Sequence, residues 1–244
     1  MKLLACDFDG TLYQKQKIST TDQKSIRNWQ KQGNLFVFAT GRDIFSIQSK
    51  LKHYQLKPDH IIGCNGATVN QQILSTLDSV LAWELLGQIK QAQFPFQQIK
   101  ISSVHYLTAK SLTKTFIPTF DWQELLVTVE QAAITQLSIQ TASPQSAQHF
   151  TSTYEQLYPQ MMFFQNSQTV DIVAAKTDKA RALKHLVQQL QLAPHHIFTI
   201  GDGLNDLQML KQFQSASFPW VTSSVFQAAD THVQSVSDWI TCIS

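Results

Sequence analysis

Apolar and polar positions follow two rhythms along this chain. Short apolar runs, Leu3-Leu4-Ala5-Cys6, Leu35-Phe36-Val37-Phe38 and, with one threonine, Ile197-Phe198-Thr199-Ile200, have the length and character of strands buried on both faces of a parallel sheet. Helical spacing fills the gaps between them. Ser19-Thr20-Thr21-Asp22 offers an N-cap for a helix to about Gln32, with Ile26 and Trp29 three apart and Gly33 as the stop. A second helix, from about Asp43 to Tyr54, leads past Pro58 into a strand from His60 to Cys64. Asp178 caps a further helix to about Leu190, and after one more helix the stretch Ala216 to Val221 reads as a last strand. Strand, helix, strand, helix, strand predicts right-handed crossovers and a parallel sheet.

From about Leu77 the rhythm changes. A helix from Asp78 to Gln91 leads to strand-like pieces around Ile99–Ser103 and Gln136–Gln140, then a helix from Pro144 to Leu157. Met161–Gln165 and Thr169–Val173 read as a hairpin around Asn166-Ser167. The expected fold is therefore α/β: a Rossmann-like parallel-sheet core from residues 1–77 and 175–244, interrupted by an α+β module at 78–174. Phe94, Phe96, Trp122, Phe163 and Phe164 are expected in the core of that insert.

Composition narrows the partners. Of 244 residues, 43% are hydrophobic and only 15% charged, and the net charge of +2 leaves no nucleic-acid footprint. No apolar run approaches the roughly 18 residues of a membrane span. Cys6, Cys64 and Cys242 form no close pair and no metal-ligand spacing, which fits a reducing compartment and a cytoplasmic location. The expected partner is a small molecule, and nothing in the pattern specifies an oligomeric state.

The chemistry lies at strand ends. Asp7 and Asp9 stand two positions apart where the first strand runs out, followed by Gly10-Thr11. Like charges so close to a core are costly, and a divalent cation resolves the conflict. Ligands of parallel sheets bind at the carboxyl ends of strands, where Thr40, Asn65 and the run Gly201-Asp202-Gly203-Leu204-Asn205-Asp206 also fall. Neither acidic loop is an EF-hand: the closing Glu is replaced by Ile18 in one and Phe213 in the other. His195-His196 precedes its strand and so belongs to the opposite end of the sheet.

The stretch Asp7-Phe8-Asp9-Gly10-Thr11-Leu12, then Ala39-Thr40-Gly41-Arg42, Lys179 at a helix start, and the Gly201 to Asp206 run resemble the four motifs of the haloacid dehalogenase-like hydrolases, in order and in strand context. Asn65-Gly66-Ala67 and the position of the insert resemble the Cof-type subfamily with its C2-type cap. The resemblance implies a magnesium-dependent phosphatase working through an aspartyl-phosphate. The residue types suit that chemistry on their own terms: Asp7 as nucleophile, Asp9 as acid and base, and Asp202 as a hard oxygen ligand. Thr40, the backbone around Gly41, and Lys179 suit the transferring phosphoryl oxygens. Asn65 and Asn205 complete the expected substrate side. Arg42 reads equally as a substrate contact or as the partner of a carboxylate. The resemblance further implies that Asp7, Asp9, Asp202 and Asp206 surround the metal, Asp9 through its backbone carbonyl and Asp206 by orienting the ligands and Lys179.

Two positions depart from the family pattern. Phe218-Pro219-Trp220-Val221-Thr222-Ser223-Ser224 stands where the subfamily usually carries a Met-x-Gly-Asn-Ala loop facing the substrate, and Ala180 replaces the usual Gly after Lys179. The expected substrate is a small phosphorylated metabolite, sugar phosphates first and nucleotide-like monoesters next. A sugar phosphomutase and a catalytically silent phosphate-ligand binder remain alternative readings.

Overall fold

The computed structural model describes residues 1–92, 94–104, 111–116 and 133–244. They form two compact units, Met1–Asn70 with Asp178–Ser244, and Gln71–Thr177. The first unit opens with β1 (Leu3–Cys6), α1 (Thr20–Lys31), β2 (Leu35–Ala39), α2 (Ile44–Tyr54), β3 (His60–Gly63) and the two-residue β4 (Thr68–Val69). The caps explain the helix starts: the Ser19 hydroxyl accepts from the Asp22 N–H, and the Asp43 carboxylate from the Ser46 N–H. Every residue of β1 is fully buried, as a central parallel strand requires.

The second unit contains β5 (Gln72–Ile73), α3 (Ser79–Gln91), β6 (Phe96–Val104), β7 (Ser111–Phe116), β8 (Ala133–Thr141), the helix Pro144–Tyr154, β9 (Met161–Asn166) and β10 (Thr169–Ala174). Its sheet is antiparallel in the order β7-β6-β8-β10-β9. Leu85, Ile89, Phe150 and Tyr154 from the two helices bury against Ile99, Leu137, Ile139 and Ile172 of the strands. Phe163 joins this core and Phe94 and Phe96 pack against it. Phe164 is half-buried, on the alternate face of β9, and Trp122 lies outside the described residues.

The first unit resumes with the helix Lys179–Gln189, capped by the Asp178 carboxylate, then β11 (Ile197–Ile200), the helix Leu207–Gln212, β12 (Gln214–Ser217), the helix Ser223–Ala228, β13 (Thr231–His232) and the helix Val236–Ile243. Within this unit the strand order is β13-β12-β11-β1-β2-β3-β4. The pairs from β13 to β3 are parallel and only β4 runs against its neighbour. The architecture is thus the α/β fold with a parallel-sheet core and a second, antiparallel sheet. The strand expected at Ala216 to Val221 instead occupies Gln214–Ser217. Pro219 has no N–H to continue the ladder, and the Val221 N–H turns back to the Phe218 carbonyl. Its polar start is tolerated inside because the Asp230 carboxylate accepts from both the Ser215 N–H and hydroxyl.

Candidate active site

Parallel pairing of β1 with β11 and β2 sets the carboxyl ends of these strands side by side. The Asp7 N–H extends the ladder by donating to the Ile200 carbonyl at 3.0 Å, so Asp7 leaves β1 beside the turn that carries Asp202. Gly10, at φ +90°, lies so close to the Asp202 carboxylate that a Cβ would collide with it. The Thr11 hydroxyl then donates to Asp202 Oδ1 at 2.5 Å. Thr11 is a site residue that motif reading alone missed; its hydroxyl two positions beyond Asp9 was the available signal.

Lys179 is the hub. Its ammonium donates to Asp7 Oδ1 at 2.6 Å and to Asp206 Oδ1 at 2.7 Å, and its side chain is fully buried. Asp206 is equally buried, and its second oxygen accepts from the Asp202 and Gly203 N–H groups at 3.1 and 2.9 Å. Both Asp206 oxygens are therefore engaged by protein donors, which makes this residue the brace of Lys179 and of the 202–203 turn.

The charges do not balance. Asp7, Asp202 and Asp206 bring three carboxylates to one lysine. Attraction to two carboxylates outweighs burial and raises the Lys179 ammonium above its ordinary range. One lysine cannot satisfy all three acids, however. Burial pushes the Asp7 carboxyl well up, against the pull of Lys179. Burial, then the Asp206 charge, pushes Asp202 up to about 6. One oxygen from each of the three carboxylates lies within 4.8 Å of the others. Hard oxygen donors with an excess of negative charge fit magnesium, which prefers a few carboxylates plus water and substrate oxygens.

Asp9 stands apart from that cluster. Its two oxygens accept from Arg42 Nε at 2.6 Å and Nη2 at 2.7 Å, in a bidentate pair. Arg42 Nη1 reaches the Ser46 hydroxyl at 3.3 Å, and its guanidinium lies over the Phe8 ring at 5.7 Å. Hydrogen bonding to Asp9 raises the Arg42 pKa further. Of the two readings open for Arg42, the structure displays the carboxylate partner.

The remaining expected residues form the β2 and β3 side. Thr40 is buried and its hydroxyl accepts from the Arg42 N–H at 3.1 Å; Gly41 lies between the two. The Asn65 N–H donates to the Thr40 carbonyl at 3.1 Å, and the buried Asn65 amide oxygen accepts from Asn205 at 2.9 Å. Gly66, at φ +103°, passes against the Asp178 carbonyl, where a Cβ would clash, and this close approach sets the start of the Lys179 helix beside Asn65. His195 and His196 form a turn at the amino end of β11, away from all of these groups.

The chain is similar to known proteins over nearly its whole length. The family model described as haloacid dehalogenase-like hydrolase matches residues 4–241. Phosphatase YwpJ of Bacillus subtilis strain 168 is 23% identical, with 86% of each chain covered. The 5-amino-6-(5-phospho-D-ribitylamino)uracil phosphatase YcsE of the same organism is 22% identical, covering 87% of this chain and 81% of its own. A solved haloacid dehalogenase-like hydrolase from B. subtilis shares the fold with a TM-score of 0.80 at 18% identity over the whole of both chains.

Proposed function

The chain belongs to the haloacid dehalogenase-like hydrolases and is a phosphatase of that family, and we propose that it hydrolyses small phosphorylated metabolites through a phosphoryl group carried on Asp7. The observation that supports this most is the buried Lys179 bridge between Asp7 and Asp206 beside Asp202. It fixes one carboxylate in a site built to hold negative charge. Asp7 and Asp202 would hold magnesium, with Asp206 bracing them. The cation supplies charge neutralisation for the phosphoryl oxygens.

The rest is work for the chain's own groups. Asp7 presents a carboxylate oxygen to phosphorus; as that bond forms, the ester P–O bond breaks and the leaving oxygen takes a proton from Asp9. Asp9, then a carboxylate, accepts a proton from water as the water oxygen attacks phosphorus, and Asp7 departs unchanged. Lys179, the Thr40 hydroxyl and the backbone at Gly41 would hold phosphoryl oxygens. The bidentate Arg42 positions both Asp9 oxygens. For the first half of the cycle, Asp9 must leave that pair to carry a proton.

The test is release of p-nitrophenol from its phosphate ester with and without magnesium. Wild type is expected to show magnesium-dependent release, and Asp7→Asn to lose it by on the order of a thousandfold or more. Wild-type turnover by Asp7→Asn would remove the nucleophile assignment.

A further inference from the structure

The first unit's large exposed apolar side chains follow the carboxyl ends of its strands. Apart from Met1, its large exposed hydrophobics are Phe45, Leu204, Trp220 and Phe226. Phe45 sits in the first turn of α2, beyond β2. Leu204 lies in the turn beyond β11, Trp220 in the turn beyond β12, and Phe226 on the helix that follows. All four therefore follow the carboxyl ends of strands that neighbour β1 in the order β12-β11-β1-β2. The buried charged centre is thus flanked by exposed apolar groups on both sides. Exposed apolar groups beside a buried charged centre are candidates for recognition.

Trp220 is the best-built member. Its indole lies parallel to the fully buried Phe218 ring, with centroids 4.9 Å apart and planes 7° from parallel. Pro219 stiffens the link between them, and the Val221 N–H closes the turn on the Phe218 carbonyl. One face of the indole is therefore fixed while 57% of the residue stays exposed. The helix after Trp220 packs against the turn that holds Leu204. Neighbouring strands are about 4.8 Å apart, so the end of β12 stands about 10 Å from the end of β1, which is the length of a leaving group.

We propose that Trp220 is a specificity-determining residue whose indole stacks on a planar ring in the leaving group of the phosphomonoester, with Leu204 supplying adjoining apolar surface. This rests on the phosphatase reading above and sharpens it. A bare sugar would set its hydroxyls against indole and isobutyl groups, whereas a planar ring gains stacking there.

Flavin mononucleotide and ribose 5-phosphate both carry phosphate on the terminal carbon of a five-carbon chain, and only the first bears a planar ring. Phosphate release from each is compared for wild type, Trp220→Ala and Trp220→Phe. Flavin binding to Asp7→Asn, with and without Trp220→Ala, is followed in parallel. Wild type is expected to prefer the flavin ester. Trp220→Ala should lower the flavin-to-ribose ratio of kcat/KM about tenfold, chiefly through KM, and Trp220→Phe should restore most of it. Flavin binding to Asp7→Asn should weaken by a similar factor. Equal loss on both esters, or no preference in wild type, overturns the proposal while Asp7-dependent hydrolysis leaves the phosphatase reading intact. Trp220-dependent flavin binding without hydrolysis of either ester supports the platform and overturns the phosphatase reading instead.

Discussion

Lys179 and Arg42 each hold a carboxylate at 2.6 Å, yet the two pairs are different devices. The Lys179 and Asp7 side chains are 0% and 7% exposed, whereas those of Arg42 and Asp9 are 30% and 34% exposed. Burial rather than distance sets what each is worth, because water screens the second pair and not the first. The buried pair is locked by Asp206 and holds still the carboxylate proposed as the nucleophile. The wetter pair is worth less because water screens it, and a residue proposed to carry a proton in one step and shed it in the next needs that contact with water.

Removing the cation from each pair separates them most sharply. Lys179→Met strands two buried carboxylates and is expected to cost about 3–5 kcal/mol of stability. Arg42→Met leaves Asp9 in contact with water and is expected to cost less than about 1 kcal/mol. Denaturant unfolding of the metal-free proteins measures both, and equal losses would erase the distinction.

Acidity gives a smaller effect. The Asp202 carboxyl rises from 3.8 to about 6 in the fold, so between those values the native protein binds the proton that the unfolded chain has lost. Stability of the metal-free protein should therefore fall as pH rises through that window, by up to about 3 kcal/mol from this group. Asp202→Asn should flatten the slope, and saturating magnesium should reverse it, because the cation takes the proton's place. A wild-type slope equal to that of Asp202→Asn between pH 4.5 and 7 would refute the charge imbalance.

The smallest expected change is at Asn205. Asn205→Ala removes the amide donor 2.9 Å from the buried Asn65 oxygen and should cost about 1 kcal/mol, while the Lys179 contacts persist. A loss as large as that of Lys179→Met would mean that the asparagine bridge, not the lysine, organises the site.

Much of this was legible in the chain, for identifiable reasons. Ser19, Asp43 and Asp178 announced helix starts because a capping side chain is a local device. Asp7 and Asp202 announced the site because carboxylates at the ends of apolar strands are costly without a purpose. The polar start of β12 was not legible, since Ser215 is tolerated only through Asp230, fifteen residues away. The two-residue β13 carried too little pattern to be placed, whereas the closing helix Val236–Ile243 had its signal in Val236, Trp239, Ile240 and Ile243 at helical spacing behind the Ser235 cap. Arg42 stayed ambiguous for the same reason: its carboxylate partner lies 33 residues earlier and is brought to it by sheet order. Local signals reveal which residues act, and tertiary pairing decides how they are held.

The most direct measurement is to quench wild-type enzyme in acid during turnover of p-nitrophenyl phosphate and map the phosphoryl group by peptide mass spectrometry. The buried lysine-held carboxylate predicts a phosphoryl increment on Asp7 that is absent from Asp7→Asn. Rapid turnover with the phosphoryl group on Asp9 or Asp202, or undiminished turnover by Asp7→Asn, would contradict it.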